Sequence, residues 1–317
     1  MKPGRIVADV GGTRSRFGIS GGPGDLSDVR VYATAERPTF VSTLAAFVAD
    51  IAAGPVESWC RSVHIAAAGP VDRGTVQLTN AAWSISAQEV SDSVGGRPVT
   101  LVNDLEAVGL VLPHLQPSDL APVGTVASAE LVGSRIAINV GTGFGAASAI
   151  RSRKRRWAVA AGEAGHMVLA PSTAEEGAVL GWGGTVEDFL SGAGVARLYA
   201  AHARGREGDA GSGQHTAEAV FALAGRDPAA ARTAQMFSRL LGRVAGDLVL
   251  ATAAWDGAFL CGSVAKAWLE VADLTAFRAA FEAKGPMRAR MARVPTFVIS
   301  TPEPALLGLT YGEPLAD

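Results

Sequence analysis

Cysteine is nearly absent from this chain: Cys60 and Cys261 are the only two in 317 residues. Two isolated thiols support neither a disulfide framework nor a zinc cluster, and a reducing compartment is the simpler reading. An excess of one charge is missing as well. Lys and Arg number 28 against 30 Asp and Glu, a net charge of -2, so no global basic field draws in nucleic acid. Long apolar runs are missing too. The longest uncharged one, Ile136 to Ile150, is too short and too glycine-rich to span a bilayer. Asp9 interrupts the N-terminal apolar run before a signal-peptide core can form, so the expectation is a cytoplasmic protein with no membrane partner. No G-x-x-x-x-G-K-S/T occurs. None of Lys2, Lys154, Lys266 and Lys284 follows a glycine in that context, which excludes a P-loop.

What is present is a composition with 48% hydrophobic and 18% charged residues, as in globular proteins. The length suggests about two domains. A glycine turn recurs 130 residues apart. Ile6 to Ser20 reads IVADVGGTRSRFGIS and Ile136 to Ile150 reads IAINVGTGFGAASAI, so Asp9, Val10 and Gly11 align with Asn139, Val140 and Gly141. A strand that runs into a glycine turn exposes N–H groups that bind phosphate oxygens. Two such tips suggest a nucleotide held by two similar halves.

The pattern predicts strands at 5–10, 15–20, 28–33, 62–68, 75–79 and 99–102. Helices are expected at 39–53, where Phe40, Leu44, Phe47, Val48 and Ile51 share a face, and at 105–112. Ser86 and Glu89 have capping-box spacing. In the second half, 227–254 carries Met236, Leu240, Val244 and Leu248 at i, i+4 spacing, a core stripe. Strands at 257–262 and 295–300 and helices at 264–271, 274–283 and 303–312 complete an α/β chain of two similar halves. Residues 204–214 read as a surface loop, and the basic run 151–156 as a solvated hairpin turn.

Several residues admit two readings. Gly11-Gly12-Thr13 is a plain hairpin turn or a phosphate-binding one. Asp9 beside it favours the latter, since a carboxylate there suits hydrated Mg²⁺. Gly141-Thr142-Gly143 with Ala146 passes for a dinucleotide fingerprint, but that needs a helix after the turn. A second strand from Trp157 argues against it. Asn103-Asp104 is a helix N-cap or places a catalytic base at a strand's carboxyl end. Glu163 and His166 have E-x-x-H spacing, which on a helix can ligate metal. The surrounding glycines argue against a helix, leaving a surface turn or a polar wall for hydroxyls.

Together these pieces resemble the bacterial ATP-dependent glucokinases of the hexokinase–actin–Hsp70 superfamily, in the group without the ROK zinc motif. The resemblance runs in order over nearly the whole chain. Asp9 to Thr13 and Gly141 to Gly143 resemble the two phosphate motifs. Residues 68–71 (AGPV) and 78–83 (LTNAAW) resemble sugar-side segments, and Val102-Asn103-Asp104 the catalytic-base motif. Gly162 to His166 (GEAGH) resembles a sugar motif, and Glu187 ahead of Leu190 to Gly194 (LSGAG) another sugar ligand. Residues 259–262 (FLCG) resemble the adenosine motif and 304–308 (PALLG) the closing helix.

The resemblance implies a two-domain, ribonuclease H-like actin/hexokinase fold with duplicated halves and a central cleft. It divides the chain into 1–110 plus 302–317 and 111–301. It implies transfer of a phosphoryl group from ATP, with Mg²⁺ held through water at Asp9, to the 6-hydroxyl of glucose, and a homodimer. Asp104 would be the base. Asn80, Asn103, Asp104, Glu163, His166 and Glu187 would hold the sugar. Asp9, Gly11, Gly12, Thr13, Gly141, Thr142, Gly143 and Gly262 would hold the nucleotide. Another hexose (mannose, fructose or an amino sugar) and a sugar-sensing regulator are the alternatives. Against the regulator, the motif at Asp9 leaves no room for an N-terminal DNA-binding helix-turn-helix. Departures from the family pattern are Arg14 after Thr13, Ser263 after Gly262, Ala164 between the sugar ligands and a shortened 177–186. The last predicts the loss of a helix just ahead of Glu187.

Overall fold

The computed structural model describes residues 3–51, 54–78, 82–124, 133–152, 157–181, 183–203 and 215–312. Asn80, the basic residues 153–156 and the 204–214 loop lie outside them. The chain forms two compact units, Met1–His114 with Pro302–Asp317, and Leu115–Thr301.

The first unit opens with an antiparallel meander of β1 (Gly4–Val10), β2 (Arg14–Gly22) and β3 (Asp25–Ala33), followed by α1 (Phe40–Asp50) and β4 (Cys60–Ala67). Three short strands, β5 (Val71–Asp72), β6 (Thr75–Gln77) and β7 (Ser84–Ser86), make a small separate sheet. Then come α2 (Ala87–Ser93), β8 (Val99–Asn103) and α3 (Asp104–Val111). The main sheet has the order β3-β2-β1-β4-β8, with β4 parallel to β1 and β8 parallel to β4. Ile6, Val7, Ala8 and Val10 are fully buried, as expected of a strand covered on both faces. Phe17 of β2 stacks on Phe40 and Phe47 of α1 at 5.5 and 5.4 Å. Burying each such ring is worth about 1.5–3 kcal/mol and fixes the helix on the sheet. Thr39 caps α1 by accepting the Ser42 N–H.

The second unit contains β9 (Leu120–Pro122), β10 (Arg135–Val140), β11 (Phe144–Arg151) and β12 (Trp157–Gly162), then α4 (Ala174–Leu180), α5 (Val186–Phe189), α6 (Gly192–Ala203) and α7 (Ala217–Ala222). It continues with α8 (Pro228–Thr252), β13 (Ala258–Cys261), α9 (Ser263–Leu269), α10 (Leu274–Glu282), α11 (Arg288–Met291) and β14 (Thr296–Ile299). The sheet order is β12-β11-β10-β13-β14-β9. Its first five strands repeat the first unit: an antiparallel meander, then two parallel strands beside its first member. Each unit has the ribonuclease H-like arrangement, and β9 adds an antiparallel edge to the second. The core stripe of α8 is as expected, with Met236, Leu240, Val244 and Leu248 all buried.

The chain returns to the first unit with α12 (Pro304–Tyr311), which packs on α3. The Arg5 guanidinium donates to the carbonyls of Leu309, Thr310 and Gly312 at 3.1, 3.3 and 2.8 Å. A cation there satisfies orphan carbonyls and complements the helix dipole. No helix of the described residues is long and apolar enough to cross a membrane.

Candidate active site

In the first unit the sheet brings the proposed phosphate turn and the proposed base to one edge. Val10 pairs with Ala67, and Ala67 with Asn103, so β1, β4 and β8 end level with one another. Ligands of such sheets bind beyond the carboxyl ends of the strands. The Gly11–Thr13 turn follows β1 there, and Asp104 follows β8. The turn is braced from beneath: Gly11 N–H donates to Arg14 O at 3.0 Å, and the buried Thr34 hydroxyl donates to Gly11 O at 2.9 Å. Thr13 O accepts the Thr34 N–H at 3.0 Å. The tip residues Thr13 and Arg14 are left exposed.

Asn103 is the N-cap of α3, its side-chain oxygen accepting the Leu105 N–H at 2.9 Å, while its amide donates to Gly69 O at 3.2 Å. Asp104 occupies the first helical position, and its Oδ1 also accepts from Leu105 N–H at 2.9 Å. Capping therefore belongs to Asn103, and a carboxylate at 104 is not needed for it.

Asp9 lies near the end of β1 with its side chain 18% exposed. Burial, aided by the neighbouring carboxylates of Asp104 and Glu303, pushes its pKa up to about 6, against the opposing pull of Arg16. Arg16, directly across the hairpin from Asp9, donates to Asp9 Oδ2 at 3.3 Å, and its Nε meets Glu303 Oε2 at 2.7 Å. Sequence reading missed Arg16, Thr34 and Glu303. A four-residue turn sets residues seven apart across from each other, so Arg16 was within reach of a register argument. Thr34 and Glu303 carry no such signal.

In the second unit the hairpin turn is one residue shorter. Gly141 N–H donates to Gly143 O at 3.0 Å, and Gly141 O accepts the Gly192 N–H at 2.8 Å, tying the turn to the start of α6. The turn leads straight into β11, so the dinucleotide fingerprint fails for want of a helix. Asn139 pairs with Cys261, which brings Gly262 to the same edge as the turn. Gly262 has φ 98°, and a Cβ there would run into Val140 O. Only glycine fits this position without strain.

Glu163 precedes and His166 ends a single 3-10 turn, Ala164–His166, closed by the His166 N–H to Glu163 O bond at 3.1 Å. Residues three apart on such a turn eclipse, and both are exposed. Glu187 sits in the first turn of α5, half-buried, with Oε2 accepting the Phe144 N–H at 2.8 Å. Its carboxylate lies between the glycine turn and the Glu163–His166 segment: 2.6 Å from where a Cβ on Gly143 would stand, and 3.3 Å for Gly165. A Cβ on Gly165 would also strike Phe144 O. The expected loss of a helix ahead of Glu187 is corrected. The helix α4 forms at Ala174–Leu180, capped by Thr173, and Glu176 anchors it through Ser172 and Arg243. Gly181, at φ 68°, ends it. Among the described residues no three His, Cys, Asp or Glu side chains gather as a metal site. A lone carboxylate such as Asp9 suits a hydrated Mg²⁺, which keeps most of its waters.

Known proteins resemble this chain throughout. A glucokinase from Chelativorans sp. is 34% identical over 316 residues, covering 96% of this chain and 89% of its own length. The bifunctional protein glk of Burkholderia thailandensis is 32% identical over 313 residues, but this chain spans only 48% of it, about half its length. The crystal structure of a glucokinase from an Antarctic psychrotroph superposes with a TM-score of 0.83 at 25% identity, covering 98% of both chains. The glucokinase family model matches residues 6–312, and the chain belongs to that family.

Proposed function

We propose that the protein transfers the γ-phosphoryl group of ATP to the 6-hydroxyl of glucose, giving glucose 6-phosphate and ADP. The observation that carries this reading is the shared sheet edge of the first unit, where a phosphate-type glycine turn and the Asp104 carboxylate emerge from parallel strands that end level. In the reaction the C6 oxygen forms a bond to the γ-phosphorus as the bond to the β–γ bridging oxygen breaks, and ADP carries that electron pair away. Asp104 accepts the proton of the hydroxyl. The transition state of such transfers is loose, so positioning and charge stabilisation dominate.

The backbone N–H groups of the turns at Gly11-Gly12-Thr13 and Gly141-Thr142-Gly143 hold phosphate oxygens, and Gly262 admits the adenosine. Asp9 would hold Mg²⁺ through water, and the ion when bound would supply neutralisation of charge on the phosphate oxygens. Asn103, Glu163, His166 and Glu187, with Asn80, hydrogen-bond the sugar hydroxyls. A site built of such groups rejects a sugar that leaves them unpaired. The protein acts in the cytoplasm as a homodimer, which light scattering checks as twice the chain mass.

A coupled ADP-release assay with ATP and a panel of glucose, mannose, fructose and an amino sugar tests the reading. The expected result is the highest kcat/KM with glucose. A higher value with another hexose assigns that sugar instead. Sugar binding with no ADP release from any of them points to a sensor.

A further inference from the structure

Glu303 is held in an unfavourable backbone conformation. It stands between Pro302 and Pro304 with φ 49° and ψ 54°, in the left-handed region. Side chains other than those of Gly, Asn and Asp rarely enter that region, and a residue before proline is driven toward extended conformations instead. Strain of this kind persists where the surroundings over-determine it. Here the Glu303 carboxylate takes Arg16 Nε at 2.7 Å, while Nη1 of the same guanidinium reaches Asp9 Oδ2 at 3.3 Å. The side chains of Arg16, Asp9 and Glu303 are 29%, 18% and 33% exposed, so the chain of three is only partly screened by water.

We propose that Glu303 is a positioning residue for the metal-bound nucleotide: its short bond to Arg16 confines the guanidinium to one oxygen of Asp9 and keeps that carboxylate available to the hydration shell of Mg²⁺. This rests on the kinase reading of the Asp9 turn. Planar guanidinium and carboxylate groups favour two parallel bonds. Without Glu303, Arg16 is released to grip Asp9 through both oxygens and to compete with the metal's waters.

The test uses Glu303→Asn in the full chain. Asn tolerates the left-handed backbone but is too short to reproduce the Glu303 bond. The variant should melt at or above the wild-type temperature, yet bind Mn²⁺·ADP about tenfold more weakly, the scale of a charge-assisted hydrogen bond. Binding is read by calorimetry and by the electron paramagnetic resonance of bound Mn²⁺, without sugar. Glu303→Gln should weaken binding in the same sense, and neither change should add to Arg16→Met, which removes the intermediary. A lower melting temperature with wild-type Mn²⁺·ADP affinity would make Glu303 a fold residue only and overturn the proposal. So would an effect that adds fully to Arg16→Met. A wild-type protein that binds no Mn²⁺·ADP would refute the nucleotide reading itself, and this inference with it.

Discussion

Glu187 Oε2 accepts the Phe144 N–H at 2.8 Å, anchoring a side chain of α5 to the backbone just past the second glycine turn. The carboxylate therefore has a structural task beside any contact with sugar, and two substitutions separate the tasks. Glu187→Gln keeps an oxygen within reach of Phe144. Glu187→Ala leaves that N–H without its partner, at a cost of about 1–3 kcal/mol. Thermal unfolding should show a drop of a few degrees for Ala and a smaller one for Gln, while both raise the KM for glucose. Equal melting of the two variants would show that the bond contributes nothing to the turn.

The first glycine turn rests on Thr34. Its hydroxyl donates to Gly11 O at 2.9 Å and lies 3.1 Å from the Ser15 hydroxyl, with both Thr34 and Ser15 buried. Thr34→Val preserves shape and removes the hydroxyl, which should cost about 1–2 kcal/mol of stability. On the proposed role of the turn in holding phosphate, the KM for ATP should rise several-fold with the KM for glucose unchanged. A rise in the glucose KM alone would place the effect elsewhere.

His64 sets a pH dependence unconnected with the chemistry. It is 1% exposed in the middle of β4, and burial, with the nearby Arg5 charge, pushes its pKa down to about 4, while a contact to the Leu309 backbone acts the other way. The unfolded chain binds this proton near pH 6.5 and the folded chain near pH 4. Between those values the unfolded state holds more protons, so stability is full above pH 6.5 and is lost as pH falls toward 4. The loss from this group is on the order of 3 kcal/mol. Melting temperatures of the wild type and of His64→Leu, compared at pH 7.5 and 5, should show the smaller decline in the variant. Parallel declines would exclude His64 as the cause.

The repeated hairpin was legible in the sequence because alternating apolar residues on either side of a glycine turn have only one economical arrangement. The i, i+4 stripe of α8 was legible for the same reason. The small sheet of β5, β6 and β7 was not foreseen as a sheet, since strands of two or three residues are too short to show a period. The helix α4 was hidden by the glycines that follow it. Its support is the pair of buried Glu176 with partly exposed Arg243, and Arg243 lies 67 residues away along the chain. Asn103 and Asp104 were legible as a pair but not in their separate places, since both side chains accept the Leu105 N–H and only the start of α3 makes Asn103 the N-cap and Asp104 the first helical residue. The bond from Glu187 to Phe144 also lay beyond reading, because it joins a helix to a turn 43 residues earlier.

On the proposed mechanism, Asp104 removes the proton of the sugar hydroxyl. Asp104→Asn tests it most directly, because Asn keeps the shape and can still accept the Leu105 N–H, while Asn103 continues to cap α3. General-base assistance is typically worth about 10² to 10⁴ in rate. In that variant kcat should fall by that factor, with glucose affinity by calorimetry and the melting temperature nearly unchanged. A folded Asp104→Asn protein with near-normal kcat would contradict it.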